Sequence, residues 1–113
     1  MDRDDGKLIE MIIEWGNSID NGDYEIANRK YKSIIILIQK LNKYEPIEII
    51  IDRLLISTEV SVKYWAFITA LKNYVKVDIA ERGLKELSSN TSIGPIGALA
   101  KIGVIEWYKQ KGK

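Results

Sequence analysis

The sequence predicts an all-α protein of about six helices. In six successive segments, apolar residues recur at intervals of three and four, which is the spacing of one helical face. No segment alternates apolar and polar residues with the period of two that marks a strand. The connections between segments are short, so consecutive helices are expected to lie antiparallel. A length of 113 residues suits a single domain, 1–113.

The first two segments, within residues 1–45, are predicted to form an N-terminal helical pair. The first covers about residues 4–20, with one apolar face made of Leu8, Met11, Ile12, Trp15 and Ile19. The turn signal Asn21-Gly22-Asp23 ends it, and Asp23 is expected to cap a second helix that reaches about Asn42. The apolar stripe of this second helix is Tyr24, Ala27, Tyr31, Ile34, Ile35, Ile38 and Leu41.

The third and fourth segments follow Pro46, a residue that suits the first position of a helix. The third carries the apolar residues Ile47, Ile50, Ile51, Leu54 and Leu55. Ser57-Thr58 is expected to cap the fourth helix, which reaches about Tyr74. Its main face is Val62, Trp65, Ala66, Thr69 and Ala70, widened by Ile68 and Leu71.

Two further helices complete the prediction. Asp78 with Glu81 three residues later resembles a capping box, so the fifth helix is expected to begin there. A polar loop over 88–92 and then Gly94-Pro95 should open the sixth helix, and residues 109–113 should fray. Gly97 and Gly103 are interpreted as small residues that allow another segment to pack closely.

Composition argues against catalysis. The chain has no Cys and no His, which removes thiolate nucleophiles, zinc fingers and the usual general base near neutral pH. It contains neither GxxxxGK[ST] nor GxGxxG. The carboxylates lie on polar helix faces, where they should be solvated, and the pair Glu81–Lys85 is read as an ordinary helical ion pair. We therefore expect no enzyme activity, no cofactor and no metal.

The acidic start of the chain and its short apolar runs predict a cytoplasmic protein without a membrane span. The longest apolar run, over 34–38, has only five residues. The frequent use of Ile, Lys and Asn resembles the bias of an AT-rich bacterial genome.

One stretch carries a resemblance to a known family. Leu54-Leu55, Val60-Ser61-Val62-Lys63, Ala66 and Ala70-Leu71 resemble a HEAT-type repeat, with Lys63 where the family usually has Arg. Another set is similar to a family of short bacterial proteins defined only as a domain of unknown function: Ala80, Leu84, Leu87, Ala98, Leu99, Trp107 and Gly112. The resemblance covers roughly residues 50–113. It implies HEAT-like helices over 46–113 in a right-handed α-α superhelix, and no activity; a compact helical bundle is the alternative.

The charges are unevenly distributed. Residues 1–27 hold eight acidic and two basic residues, whereas residues 28–113 hold fifteen basic and eight acidic residues. No acid occurs in residues 28–43. Either the acidic first helix packs against the basic second helix, or the second helix offers a basic face to an acidic partner.

Seven residues are candidates for binding a partner. Arg29, Lys30 and Lys32 lie in the basic stretch, and Asp52-Arg53 could form either a ladder between repeats or a partner contact. Tyr64 and Tyr108 stand beside tryptophans on the helical wheel, and tyrosines are frequent in binding hot spots. The sequence thus predicts a non-catalytic protein–protein interaction module, such as a small bacterial immunity-type protein. Weak nucleic-acid binding is the alternative, and the oligomeric state stays open.

Overall fold

The computed structural model describes residues 2–112, and the side chains of residues 6–112. Its six α-helices are α1 (Asp2–Asp20), α2 (Tyr24–Asn42), α3 (Ile47–Leu55), α4 (Val60–Lys72), α5 (Val77–Ser89) and α6 (Pro95–Lys111). A 3₁₀ turn, Thr91–Ile93, precedes α6, and the described range contains no strand. The prediction of an all-α fold with six helices is confirmed.

Two predicted helix starts differ from those observed. The residue that precedes α4 is Glu59, and its backbone N–H donates to the Ser57 hydroxyl at 3.1 Å, so Ser57-Thr58 forms a local turn and not the cap. The fifth helix begins at Val77, after Lys76 in the left-handed conformation with φ 48°. Asp78 therefore lies inside the first turn, and the predicted capping box with Glu81 is wrong.

Smaller differences occur at other helix ends. Pro46 stands just before α3 and not at its first position, and Asp23 precedes α2 without a capping bond from its side chain. Ser88 and Ser89 extend α5 into the predicted loop. The predicted fraying is wrong for residues 109–111, which stay helical; Lys113 lies outside the described residues.

Consecutive helices pack as pairs, α1 with α2, α3 with α4, and α5 with α6. Helix α4 also packs against α5, and α1 contacts both α4 and α6. The first and last helices therefore meet, and the chain is a compact globule with a radius of gyration of 13.4 Å. This arrangement is consistent with a helical bundle.

Two hydrophobic clusters share α4. The first cluster joins α1 and α2 to the N-terminal half of α4 and includes Ile12, Trp15, Ile34, Val62 and Trp65. The second joins α5 and α6 to the C-terminal half and includes Phe67, Leu71, Leu84, Ala100 and Trp107. Burial of these side chains is the main source of stability, at roughly 1.5–3 kcal/mol for each large apolar side chain.

Two glycines let neighbouring helices approach α4 closely. A Cβ on Gly16 of α1 would lie 2.7 Å from the Ser61 Cβ, and a Cβ on Gly83 of α5 would overlap the Phe67 ring. Gly97 lies against the backbone carbonyls of Leu87 and Asn90, in agreement with its interpretation as a small packing residue.

Candidate functional site

A groove runs along the exposed side of α4. Helix α4 is its floor, and α2 and α6 are its walls. The residue numbers rise in the same direction along all three helices, because Tyr31 contacts Trp65 near one end while Asn42 and Asn73 border the same cavity at the other. On the α6 side, Gln110 donates to the Tyr74 hydroxyl at 2.8 Å. Three parallel helices therefore border one continuous surface.

The groove contains two adjoining cavities. The first, of about 300 Å³, lies between α2 and α4, and the second, of about 210 Å³, lies between α4 and α6. Ile68 and Lys72 border both cavities. The first is lined by Ile35, Ile38, Gln39, Asn42, Ile47, Trp65, Ile68, Thr69, Lys72 and Asn73. The second is lined by Tyr31, Tyr64, Ile68, Leu71, Lys72, Gly103, Glu106, Trp107 and Gln110.

Aromatic rings connect the groove to the core. The Tyr31 and Trp65 ring centroids are 5.0 Å apart, and Trp65 meets Trp15 edge-on at 5.6 Å. Trp15 in turn stacks on Tyr64 at 5.6 Å. Burial, followed by the neighbouring Tyr31, raises the pKa of Tyr64 to about 12. These contacts hold the rings of the groove in fixed positions.

Trp65 carries an unsatisfied polar group. Its side chain is buried at 3% exposure, yet its indole N–H finds no acceptor among the described residues. Leaving a buried donor unpaired costs about 1–3 kcal/mol. Few buried polar groups in native proteins lack a partner, so this unpaired N–H is an unusual feature of the core beneath the groove.

The rim of the groove is mainly basic. Lys72 borders both cavities, and Lys32 and Lys43 follow the lining residues Tyr31 and Asn42 directly in the sequence. All three lysines are exposed, and none of them has an ion pair to another described residue.

The acidic residue that lines the groove has a basic neighbour. Glu106 forms an ion pair with Lys109 at 4.0 Å on the exposed surface of α6. The rim thus has an excess of positive charge.

The predicted candidates of the basic stretch lie on different sides of α2. Lys30 points toward α1 and pairs with Glu14 at 3.4 Å. Arg29 and Lys32 are exposed and have no ion-pair partner within the part of the chain that the structure describes. Helix α1 packs against α2, as the first alternative expects, and the Lys30–Glu14 pair joins the acidic stretch to the basic one. The second alternative, in which α2 offers a basic face to an acidic partner, stays a prediction.

The remaining predicted candidates lie in different parts of the molecule. Asp52 pairs with Lys76 at 3.1 Å, and Arg53 pairs with Glu45 at 2.5 Å. Tyr64 is the one predicted candidate that lines the groove. Tyr108 lies on the α5–α6 surface, where the Lys85 and Lys111 ammonium groups are 4.9 Å and 5.4 Å from its ring centroid.

A polar contact fixes the end of α6 to α5. The Glu81 carboxylate accepts hydrogen bonds from the Trp107 indole and, at 2.8 Å, from the Lys111 ammonium group. These bonds hold the pKa of Glu81 below its ordinary value, and the bond to Glu81 raises the pKa of Lys111. Contrary to the sequence interpretation, Glu81 is only 15% exposed, and its direct partner is Lys111 and not Lys85. The contact explains why residues 109–111 remain helical.

Comparison with known proteins leaves the groove as the main guide to function. No family model, curated protein or solved structure matches the chain. The resemblance to HEAT-like families therefore stays a prediction. No described helix has the length and apolar character to cross a membrane. Among the same residues, no group of three or more acidic side chains is arranged to hold a metal ion.

Proposed function

We propose that this chain is a non-catalytic protein-interaction module and that its binding surface is the groove along α4. The observation that carries the proposal is the pair of adjoining cavities between three parallel helices. Tyr31, Tyr64, Trp65 and Trp107 line them, and aromatic residues of this kind are enriched in binding hot spots.

The shape of the surface also supports a macromolecular partner. The groove follows α2 from Tyr31 to Asn42, a length of about 16 Å at 1.5 Å per residue. A surface this long and open suits a segment of another protein. Stacks of HEAT-like helix pairs present such extended surfaces, and we propose that α2, α4 and α6 are the inner helices of this arrangement.

The biological context of the protein is the second part of the proposal. We infer a cytoplasmic bacterial protein of the immunity type, which neutralises a partner by binding it. Chain size, an Ile-, Lys- and Asn-rich composition and the fold class support this inference, which is an analogy at the level of the fold.

The proposal is tested with a groove variant and a matched surface variant. Ile68→Glu places a charge on the groove floor, and Ile79→Glu places the same charge on the exposed start of α5, outside the groove lining. Circular dichroism first shows that both variants are folded. Both proteins then serve as baits in extracts of the source organism. A specific partner should bind wild type and Ile79→Glu and not Ile68→Glu. A partner that binds all three equally contradicts the groove assignment.

Weak nucleic-acid binding is the second candidate, because Arg29, Lys32 and Lys40 are exposed on α2 and the exposed Lys43 follows it directly. It predicts an affinity for DNA that falls steeply as salt rises. A titration at low salt that shows no binding to either single-stranded or duplex DNA eliminates this candidate.

A further inference from the structure

We propose that the groove binds an acidic amphipathic helix of the partner, about three turns long. This inference rests on the proposed function, because it names the kind of segment that occupies the groove. Three features support it: the length of the groove, the helical backbone of its walls and floor, and the positive charge of its rim.

The length of the groove matches a short helix. The α2 wall between Tyr31 and Asn42 corresponds to about three turns of a parallel or antiparallel partner helix at 5.4 Å per turn. Apolar side chains at positions i, i+3 or i+4, and i+7 of such a helix lie on one face, and this face would lie over Ile68, which borders both cavities.

The backbone around the groove favours a helical occupant over an extended one. Both walls and the floor are helices, which use their own backbone hydrogen bonds, and the described residues offer no sheet edge to which a strand could add. The Asn73 side chain on the floor already donates to the Thr69 carbonyl at 2.8 Å. A partner helix satisfies its own backbone groups and requires no backbone partner from the groove.

The charge of the rim favours an acidic partner. Lys32, Lys43 and Lys72 are exposed beside the cavities, while the Glu106 carboxylate on the opposite wall is paired with Lys109. Acidic side chains that flank the apolar face of the partner helix would meet these lysines, and complementary charges of this kind set orientation and specificity.

A display selection tests the proposal with wild-type protein. The library presents a randomised face on a stable helical peptide of about four turns, and a parallel library presents unstructured peptides of equal length. We expect enrichment from the helical library of sequences with apolar residues at helical spacing and flanking Asp or Glu. Enrichment of basic helices, or of unstructured peptides alone, overturns the acidic-helix proposal and leaves the groove as a binding site.

Single variants then locate the bound peptide. For the best synthetic peptide, Lys72→Glu should weaken binding about tenfold or more, which corresponds to the loss of one favourable charge contact and the gain of an unfavourable one. Lys101→Glu is the matched control, because Lys101 is exposed on α6 outside the groove lining, and it should leave the affinity unchanged within about twofold.

The outcomes separate the two proposals. Peptides that bind equally well to wild type, Ile68→Glu and Lys72→Glu do not use the groove, and this result contradicts the proposed function itself. Sedimentation of the free protein tests a second copy as the occupant. If the wild-type protein is a dimer and Lys72→Glu or Ile68→Glu makes it monomeric, the groove serves self-association. This result overturns the acidic-helix proposal.

Discussion

Helix α4 has one closely packed side and one open side. Toward α5, the Phe67 ring lies directly on Gly83, where a Cβ would overlap it. Toward α2, the facing residues are the bulky Tyr31 and Ile35, and a cavity of about 300 Å³ remains beside Trp65. The residue on the neighbouring helix thus decides how closely that helix packs. The close side stabilises the fold, and the open side is the surface that we propose binds a partner.

Gly83→Ala should break the closely packed side and produce the largest effect. The new methyl group forces the Phe67 ring or α5 to move, and such overpacking costs about 3 kcal/mol. Urea denaturation followed by circular dichroism measures the loss. Gly6→Ala is the control, because no atom lies within 4 Å of its new Cβ and α1 should gain about 0.5–1 kcal/mol. Equal stability of Gly83→Ala and wild type would contradict the described packing of α4 on α5.

Glu81 should make the α5–α6 contact sensitive to acid. Its pKa is lowered in the folded state, so its contribution to stability is complete above its ordinary value of 4.5 and is lost as the pH falls through the folded pKa. We expect Glu81→Gln to be less stable than wild type at neutral pH and to converge with it in acid. Denaturation curves of wild type and Glu81→Gln at several acidic pH values measure the difference in their stability. A constant difference between the two proteins at every pH would show that the carboxylate charge contributes nothing.

Gly103→Ala should have a smaller effect, because Gly103 faces the groove. Its new Cβ would lie 3.0 Å from the Ile68 Cδ1 atom and 3.2 Å from the Leu84 Cδ2 atom, both of which are ends of flexible side chains. The helix propensity gained from Ala offsets this contact, so the variant should stay within about 1 kcal/mol of wild type. Urea denaturation of Gly103→Ala and Gly83→Ala side by side measures the difference in their stabilities. A larger loss of stability in Gly103→Ala than in Gly83→Ala would contradict the assignment of the close and open sides of α4.

Tyr64 should give the smallest effect, visible only in alkali. Its pKa is raised to about 12, so its contribution to stability is complete below its ordinary value of 10.0 and is lost as the pH rises through the folded pKa. In an ultraviolet titration of phenolate, Tyr64→Phe should remove an ionisation near pH 12. Loss of an ionisation well below that pH would show that Tyr64 is not buried against Trp15.

The helices could be predicted because their apolar stripes are long and regular. The stripes of α1 and α2 supply many residues of the first cluster, including Ile12, Trp15 and Ile34. The start of α5 could not be predicted. Lys76 adopts a left-handed conformation that usually belongs to Gly or Asn, and Asp78 offered a more familiar capping signal two residues later.

The groove was predicted only in part. Tyr64 was identified as a binding candidate because it is next to Trp65 on the helical wheel, and it does line the second cavity. Trp65 and Lys72 were missed, because a gap between α2 and α4 depends on the distance between two helices and leaves no periodic signal in either. The available indication of a groove is that Ile35 and Ile68 make the apolar stripes of α2 and α4 wide. Gly83 was missed because its importance comes from Phe67 on another helix.

The contact between the first and last helices has a consequence for the order of folding. Ile96 of α6 belongs to the first cluster, and its Cδ1 atom lies 3.7 Å from the Cβ position of Gly16 in α1. The helix pairs form from neighbouring segments, whereas this contact must close nearly the whole chain and carries the largest loop entropy. We therefore expect α1 to dock on α6 after the transition state. Shortening Ile96 should then accelerate unfolding while leaving the rate of folding almost unchanged.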